Sequence, residues 1–186
     1  MHHSSLIEKY LTKLQHLTTD KQVPALDLAC GKGRNGLYLI NNDIPVIFAD
    51  VNGEALEQVK QSLNGVNAKR QKLAQCWQVD FEQANRASLQ GKSFAAVMVF
   101  RYLHRPLFES IKASIKPGGL IIYETFIEQQ AQFGRPKNPD FLLKPNELLE
   151  QFSGWQILHS FEGVVEPINK DDSKQAIANI VAIKPN

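Results

Sequence analysis

The 186-residue chain reads as an α/β protein, a doubly wound, mostly parallel seven-stranded sheet with its last strand antiparallel. Three features carry that reading. Apolar runs of strand length alternate with segments of helical periodicity from Val23 to Tyr123, the pattern left by strand–helix–strand crossovers. A glycine turn at Gly31, Gly33 and Gly36 joins the first run to the helix after it, as at the carboxyl edge of such sheets. The last two runs, Trp155–Phe161 and Ala176–Ile183, are joined by residues 163–174, which hold Pro167, Asn169, Asp171 and Asp172. That connection is too short for a crossover helix, so the pair is antiparallel.

Each element has its own justification. Ser5-Leu6-Ile7-Glu8 has the form of a capping box, and Ile7, Tyr10, Leu11, Leu14 and Leu17 follow at helical spacing. This predicts one amphipathic helix over 5–17, packed on the sheet edge and covering the ligand. Strands follow at Val23–Leu28, Pro45–Ala49 and Leu73–Val79, with a helix near Asn52 presenting Leu56, Val59 and Leu63 on one face. Glu82–Lys92 is polar and fits either a loop or a short helix. Phe94–Phe100 is apolar throughout, as a central strand buried on both faces must be. Pro106 opens a helix carrying Phe108, Ile111 and Ile115, which stops at Lys116-Pro117-Gly118-Gly119, and Leu120–Tyr123 is the fifth strand. The long segment Glu128–Lys144 contains Gly134, Pro136 and Pro139; connections of that length work as lids or binding loops. A short helix, Pro145–Phe152, precedes the closing pair.

Composition narrows the function classes. At 186 residues, 43% hydrophobic and 22% charged, the chain suits a single domain over 1–186. A formal net charge of +2 gives no electrostatic case for nucleic acid. Neither Cys30 nor Cys76 has Cys or His at ligand spacing, so no metal site is expected and the two thiols point to a reducing, cytoplasmic setting. No apolar run approaches the roughly 20 residues that span a bilayer, and no signal peptide is expected in Met1-His2-His3-Ser4-Ser5.

The glycine turn bears on the ligand class. Gly31, Gly33 and Gly36 fit G-x-G-x-x-G, a weak pattern that a dinucleotide fold also shows. Asp27, at the end of the first strand, is more informative. A carboxylate beside a pyrophosphate is repulsive in a low-dielectric cleft, whereas a ligand with a cationic end, such as S-adenosylmethionine, favours it.

Asp27-Leu28-Ala29-Cys30-Gly31-Lys32-Gly33 resembles the first motif of class I S-adenosylmethionine-dependent methyltransferases, an acidic residue followed by a G-x-G loop. Gly33-Arg34-Asn35 with Leu37-Tyr38-Leu39 is similar to the tellurite-resistance-type branch of that superfamily. The resemblance implies a Rossmann-like sheet and S-adenosyl-L-methionine as cofactor, with S-adenosyl-L-homocysteine as product. It implies a cofactor set of Asp27, Ala29, Cys30, Gly31, Gly33, Asn35, Asp50, Val51, Asp80, Phe81 and Phe100. Asp50 lies 19 positions after Gly31 (50 − 31), the interval for a carboxylate accepting from the ribose hydroxyls. Asp80 ends the third strand, where a carboxylate would face the adenine amino group. Taken singly, each strand-end aspartate also fits a helix cap.

The fourth strand runs into Arg101-Tyr102-Leu103-His104-Arg105-Pro106, where methyl donor and acceptor should meet. His104 is placed for general-base catalysis, its ordinary pKa being near neutral; it equally fits a helix-terminal histidine bonded to backbone. Tyr102 either shapes the cavity or packs as a plain aromatic. Arg101, Arg105 and Arg135 either converge on an anionic substrate or serve as surface and structural charges. Glu124 is a second base, an orienting group or a cap. The Asp/Asn-Pro-Pro-aromatic signature of amino-methyltransferases is absent, which removes support for base methylation. The reading is a methyltransferase with a small-molecule acceptor: thiol or chalcogen, carboxylate or hydroxyl. An RNA or protein acceptor on the same fold, and an NAD-binding or non-catalytic ligand-sensing module, are the alternatives.

Overall fold

The computed structural model describes residues 3–19, 22–83, 89–166 and 173–186. Its strands are β1 (Ala25–Leu28), β2 (Val46–Asp50), β3 (Ala74–Gln78), β4 (Phe94–Phe100), β5 (Ile115–Phe126), β6 (Gln156–Val165) and β7 (Gln175–Ile183). They form one seven-stranded sheet in the order β3-β2-β1-β4-β5-β7-β6. β7 runs antiparallel to both neighbours, and the other pairings are parallel. This is the architecture expected from sequence, with the reversed strand where it was expected.

Period-two alternation builds a core on each face. Leu26, Leu28, Val97, Val99, Ile121 and Tyr123 point to one face, and Ala25, Ala96, Met98, Phe100, Leu120 and Ile122 to the other. The second face is covered by α1 (Ser5–Lys9), α2 (Leu11–Leu17), α3 (Arg34–Asn41) and α4 (Gly53–Leu63); the short α5 (Ala68–Gln71) leads into β3. The first face is covered by α6 (Phe108–Ser114) and α7 (Glu147–Gln151). No described helix is long and apolar enough to cross a membrane.

Four expectations are corrected. The single helix over 5–17 is broken at Tyr10, whose backbone leaves helical values and whose hydroxyl donates to Leu158 O at 3.2 Å. The α1–α2 pair covers the middle of a sheet face rather than its edge, burying Leu6, Ile7 and Leu14 with Met98 and Val181. Ile115 belongs to β5, not to the preceding helix, because it pairs with Phe94. β5 is three times the expected length: residues 116–119 loop out of the β4 register and bond to Lys184 instead, Gly118 N donating to Lys184 O at 3.0 Å and Lys184 N to Gly119 O at 2.9 Å. The middle of Glu82–Lys92 and the β6–β7 turn residues 167–172 lie outside the described residues.

Glu128–Lys144 is not an unstructured loop. It holds single 3-10 turns at Glu128–Gln132 and Pro139–Phe141 and is tied at its base by an Ile127–Leu143 bridge.

Candidate active site

β1 and β4 lie side by side, but the chain leaves them for opposite faces, to α3 and to α6. Such a switch point opens a crevice at the carboxyl ends of the strands. Both exits are strained. Ala29, just past β1, has φ 52°, and Arg101, just past β4, has φ 59°. Non-glycine residues persist there only where the surroundings hold them, commonly at functional sites.

On the β1 side the bare backbone of Gly31 (φ +53°) faces open space: a Cβ built there would meet nothing within 4 Å. The Gly31 N–H donates to Asp50 Oδ2 at 2.7 Å, and Asn52 N donates to Asp50 Oδ1 at 2.9 Å. One bond to each oxygen fixes the carboxylate and leaves each a further acceptor direction. Next to it Val51 is 59% exposed, an apolar side chain with little on it. Asp80 Oδ1 accepts from Glu82 N at 2.9 Å, and Phe81 is buried edge-on against Trp77.

Other members of the expected cofactor set lie beneath this surface. Asp27 is 2% exposed and accepts from Gly36 N at 2.8 Å, under the first turn of α3. Burial raises its pKa to about 7, against the pull of the Gly36 bond and Arg34, with Asp50 adding to the rise. Asn35 is buried and its Oδ1 accepts from Ser4 N at 3.0 Å, pinning the start of α1 to the start of α3. Burial, then Asp27 and Asp50, push the Cys30 thiol well up, so it is not a thiolate nucleophile. Gly33 (φ +71°) is packed on Val59 and Phe48, and Phe100 lies in the core under α1.

The catalytic candidates separate. Arg101 and Tyr102 line a cavity of about 420 Å³ with Phe126, Arg135 and Phe141. The Arg101 guanidinium donates from Nη2 to Gln175 Oε1 at 2.8 Å, pairs with Glu124 Oε1 at 3.2 Å and stacks 4.5 Å from the Phe126 ring centre. Burial lowers its pKa, with Glu124 opposing. Burial and then the neighbouring Glu82 push the Tyr102 phenol up. His104 precedes the single turn Arg105–Leu107, makes no side-chain bond to that turn and lines neither this cavity nor the larger one described below. Arg105 does not join Arg101 and Arg135 around the cavity. Its Nε and Nη2 grip Glu147 at 2.6 and 2.8 Å, and its Nη1 and Nη2 donate to Asp140 O and Leu142 O at 3.0 and 2.7 Å.

That clamp ties the 128–144 segment to α7. Gln130, also buried, adds bonds to Arg135 O and from Ala176 N. Burial alone would raise the Glu147 pKa, but Arg105 and the Lys144 N–H outweigh it and hold it below its ordinary 4.5. A depressed carboxylate contributes stability that is complete above about 4.5 and lost as pH falls through the folded value. Charge-assisted bonds contribute about 1.5–3 kcal/mol, and the partial exposure of Arg105 argues for the lower part of that range. Arg105→Ala should therefore cost about 2 kcal/mol and speed amide exchange at Glu128 and Leu143. Unchanged exchange at those two amides would refute the clamp.

Sequence reasoning missed Gln175 and Asn179 of β7, which bond to Arg101 and to Glu124. The signal was present for Asn179, the one polar residue in Ala176–Ile183. A polar side chain inside a buried strand needs a partner, here Glu124 Oε2, to which Asn179 Nδ2 donates at 3.2 Å.

Among solved structures the chain is similar to TehB from Haemophilus influenzae, with a TM-score of 0.70 and 20% identity over 93% of this chain and 62% of that one. The chain thus spans less than two thirds of that protein's length. A Methanosarcina mazei S-adenosylmethionine-dependent methyltransferase gives 0.68 and 18%, covering 100% of this chain and 99% of that one. The glycopeptide N-methyltransferase MtfA, crystallised with S-adenosyl-L-methionine, gives 0.66 and 14%, covering 100% and 88%. The sheet and its helices are thus those of the methyltransferase fold. No curated protein matches the sequence. The family model described as tellurite resistance protein TehB matches residues 9–182, so the chain belongs to the TehB family.

Proposed function

We propose that the chain is an S-adenosyl-L-methionine-dependent methyltransferase acting on a small-molecule acceptor, a thiol or chalcogen, carboxylate or hydroxyl. The observation that carries this is the pairing of Asp50 with the open backbone of Gly31 at the switch point. A carboxylate already oriented by two N–H donors is set to accept from a ribose diol, and bare Gly31 backbone lets the ligand approach. The exposed Val51 offers an apolar surface for a flat base. Asp27, Cys30, Gly33, Asn35 and Phe100 act as positioning residues beneath the loop, and Ala29, Asp80 and Phe81 flank it. Bound cofactor supplies an electrophilic methyl group on a cationic sulfur. What the chain must add is alignment at short range and exclusion of water. The cavity at Arg101 and Tyr102, closed by the clamped 128–144 segment, suits that task. A chalcogen acceptor needs no protein base, whereas a hydroxyl needs one.

Asp50→Ala should weaken S-adenosyl-L-homocysteine binding by about 1–3 kcal/mol, the cost of stranding hydrogen-bond partners, as read by calorimetry. An unchanged affinity, or a thermal shift with NAD and none with S-adenosyl-L-homocysteine, would sink the assignment.

A further inference from the structure

Among the described residues that line the Tyr102 cavity, Glu82 alone can take a proton at neutral pH. Arg101 and Arg135 are cations throughout the accessible range. Thr125 and Tyr102 are neutral hydroxyls, and burial with Glu82 holds the Tyr102 phenol protonated. His104 does not line the cavity. Glu124 borders instead the larger cavity of about 700 Å³ beside α1, with Arg101 on one oxygen and Asn179 on the other.

Glu82 is also set in place. Its N–H donates to Asp80 Oδ1 at 2.9 Å, so the short turn after β3 carries Asp80 to the cofactor side and Glu82 to the acceptor side. The carboxylate lies beside the Tyr102 phenol, which feels it both as a charge and as a hydrogen-bond partner. A carboxylate has about four acceptor directions, so one phenol leaves others for a substrate. Glu82 is exposed and can return a proton to water. The rest of the wall is apolar: Leu103, Phe126, Pro136 and Phe141. A cavity of about 420 Å³ with two phenyl rings in its wall suits a ring-sized organic body and is far larger than a bare oxyanion.

We propose that Glu82 is the general base of this site and that the acceptor it serves is an aromatic hydroxyl compound, its ring against the apolar wall. This rests on the methyltransferase reading, of which it names the acceptor class. A thiolate or chalcogenide would have no use for a base here; a neutral hydroxyl does. The acceptor oxygen bonds to the methyl carbon as the methyl–sulfur bond breaks, that electron pair staying on sulfur to leave a neutral thioether. The hydroxyl proton goes to Glu82 and then to water. Tyr102 is a positioning residue, donating to Glu82 and holding it toward the acceptor.

Two phenols test it through S-adenosyl-L-homocysteine formation: 4-cresol, which is neutral in neutral solution, and 4-nitrophenol, which is already largely ionised there. Wild-type protein should methylate both. Glutamine keeps an oxygen for the Tyr102 hydroxyl but takes no proton, so Glu82→Gln should lower kcat on 4-cresol about 100-fold and leave 4-nitrophenol within about twofold. The acid limb of the 4-cresol pH profile should vanish with it. Tyr102→Phe should lower kcat on 4-cresol about tenfold, and the double variant should be no slower than Glu82→Gln alone, because Tyr102 acts through Glu82. Equal losses on both phenols in Glu82→Gln would overturn the base, since a residue that only shapes the cavity serves both alike; so would full 4-cresol turnover in that variant. Turnover of selenite or an aliphatic thiol with neither phenol would overturn the acceptor class. Protein that binds S-adenosyl-L-homocysteine by calorimetry but methylates neither phenol sinks this proposal alone, whereas protein that does not bind it sinks the methyltransferase reading as well.

Discussion

Gly36→Ala should destabilise the protein by about 3 kcal/mol and lower its Tm by about 10 °C. Helix propensity alone predicts the opposite, since alanine is worth about 1 kcal/mol over glycine inside a helix. Packing overrides it. A Cβ at Gly36 would stand 2.3 Å from Phe48 Cε1 and 2.9 Å from Asp27 Oδ2. Phe48 is fully buried on β2 and cannot withdraw without moving its own neighbours. The same atom would push on the Gly36 N–H bond to Asp27, threatening a buried carboxylate with the loss of its donor. α3 and the glycine loop would shift together, so S-adenosyl-L-homocysteine affinity should fall with stability. Thermal and urea unfolding check the first effect and calorimetry the second. A Tm equal to or above that of the wild type would show that the close approach of α3 to β2 is not what requires glycine here.

Much of this architecture was legible because it follows from local pattern. Phe94–Phe100 is apolar without a break and is buried at all seven positions. Asn52, read as the start of a helix, caps α4 by accepting from Ala55 N at 3.1 Å. The errors came where distant partners decide the backbone. Nothing around Tyr10 announces a break; its hydroxyl reaches β6, 148 residues away in the chain. Ile115 has helical spacing from Phe108 and Ile111, yet its pairing with Phe94 draws it into the sheet. The glycine loop and Asp50 were legible as an arrangement because their spacing is short and fixed by the strand–turn–helix unit. The Arg101–Glu124–Asn179 network was not, because Arg101 follows β4 while Glu124 lies on β5 and Asn179 on β7, and only the sheet order brings them together. Arg105 shows the converse. Beside Arg101 in sequence it suggested a shared anion, but its partner Glu147 is 42 residues on.

Wild-type protein should lose stability as pH rises from about 4 to about 7, whereas Asp27→Asn should not. Asp27 carries a folded-state pKa of about 7 against an ordinary 3.8. Between those values the folded chain keeps a proton that the unfolded chain has released, so raising pH favours unfolding. The slope approaches about 1.4 kcal/mol per pH unit and ends once pH passes the folded pKa. Asparagine retains an oxygen for the Gly36 N–H but carries no charge to desolvate. The variant should match wild type near pH 4 and exceed it by a few kcal/mol near pH 8, measured by urea unfolding across that range. A function explains why an aspartate stands where asparagine would be more stable. If the cationic sulfur of the cofactor is felt at Asp27, binding it favours the deprotonated acid. Wild-type affinity for S-adenosyl-L-methionine should then rise between pH 5 and 7 relative to that for the uncharged S-adenosyl-L-homocysteine. In Asp27→Asn the ratio of the two affinities should be independent of pH. A stability profile that stayed level across the range in the wild type would show that the carboxylate is solvated enough to ionise at its ordinary pH. A pH-independent ratio in both proteins would confine Asp27 to holding the loop.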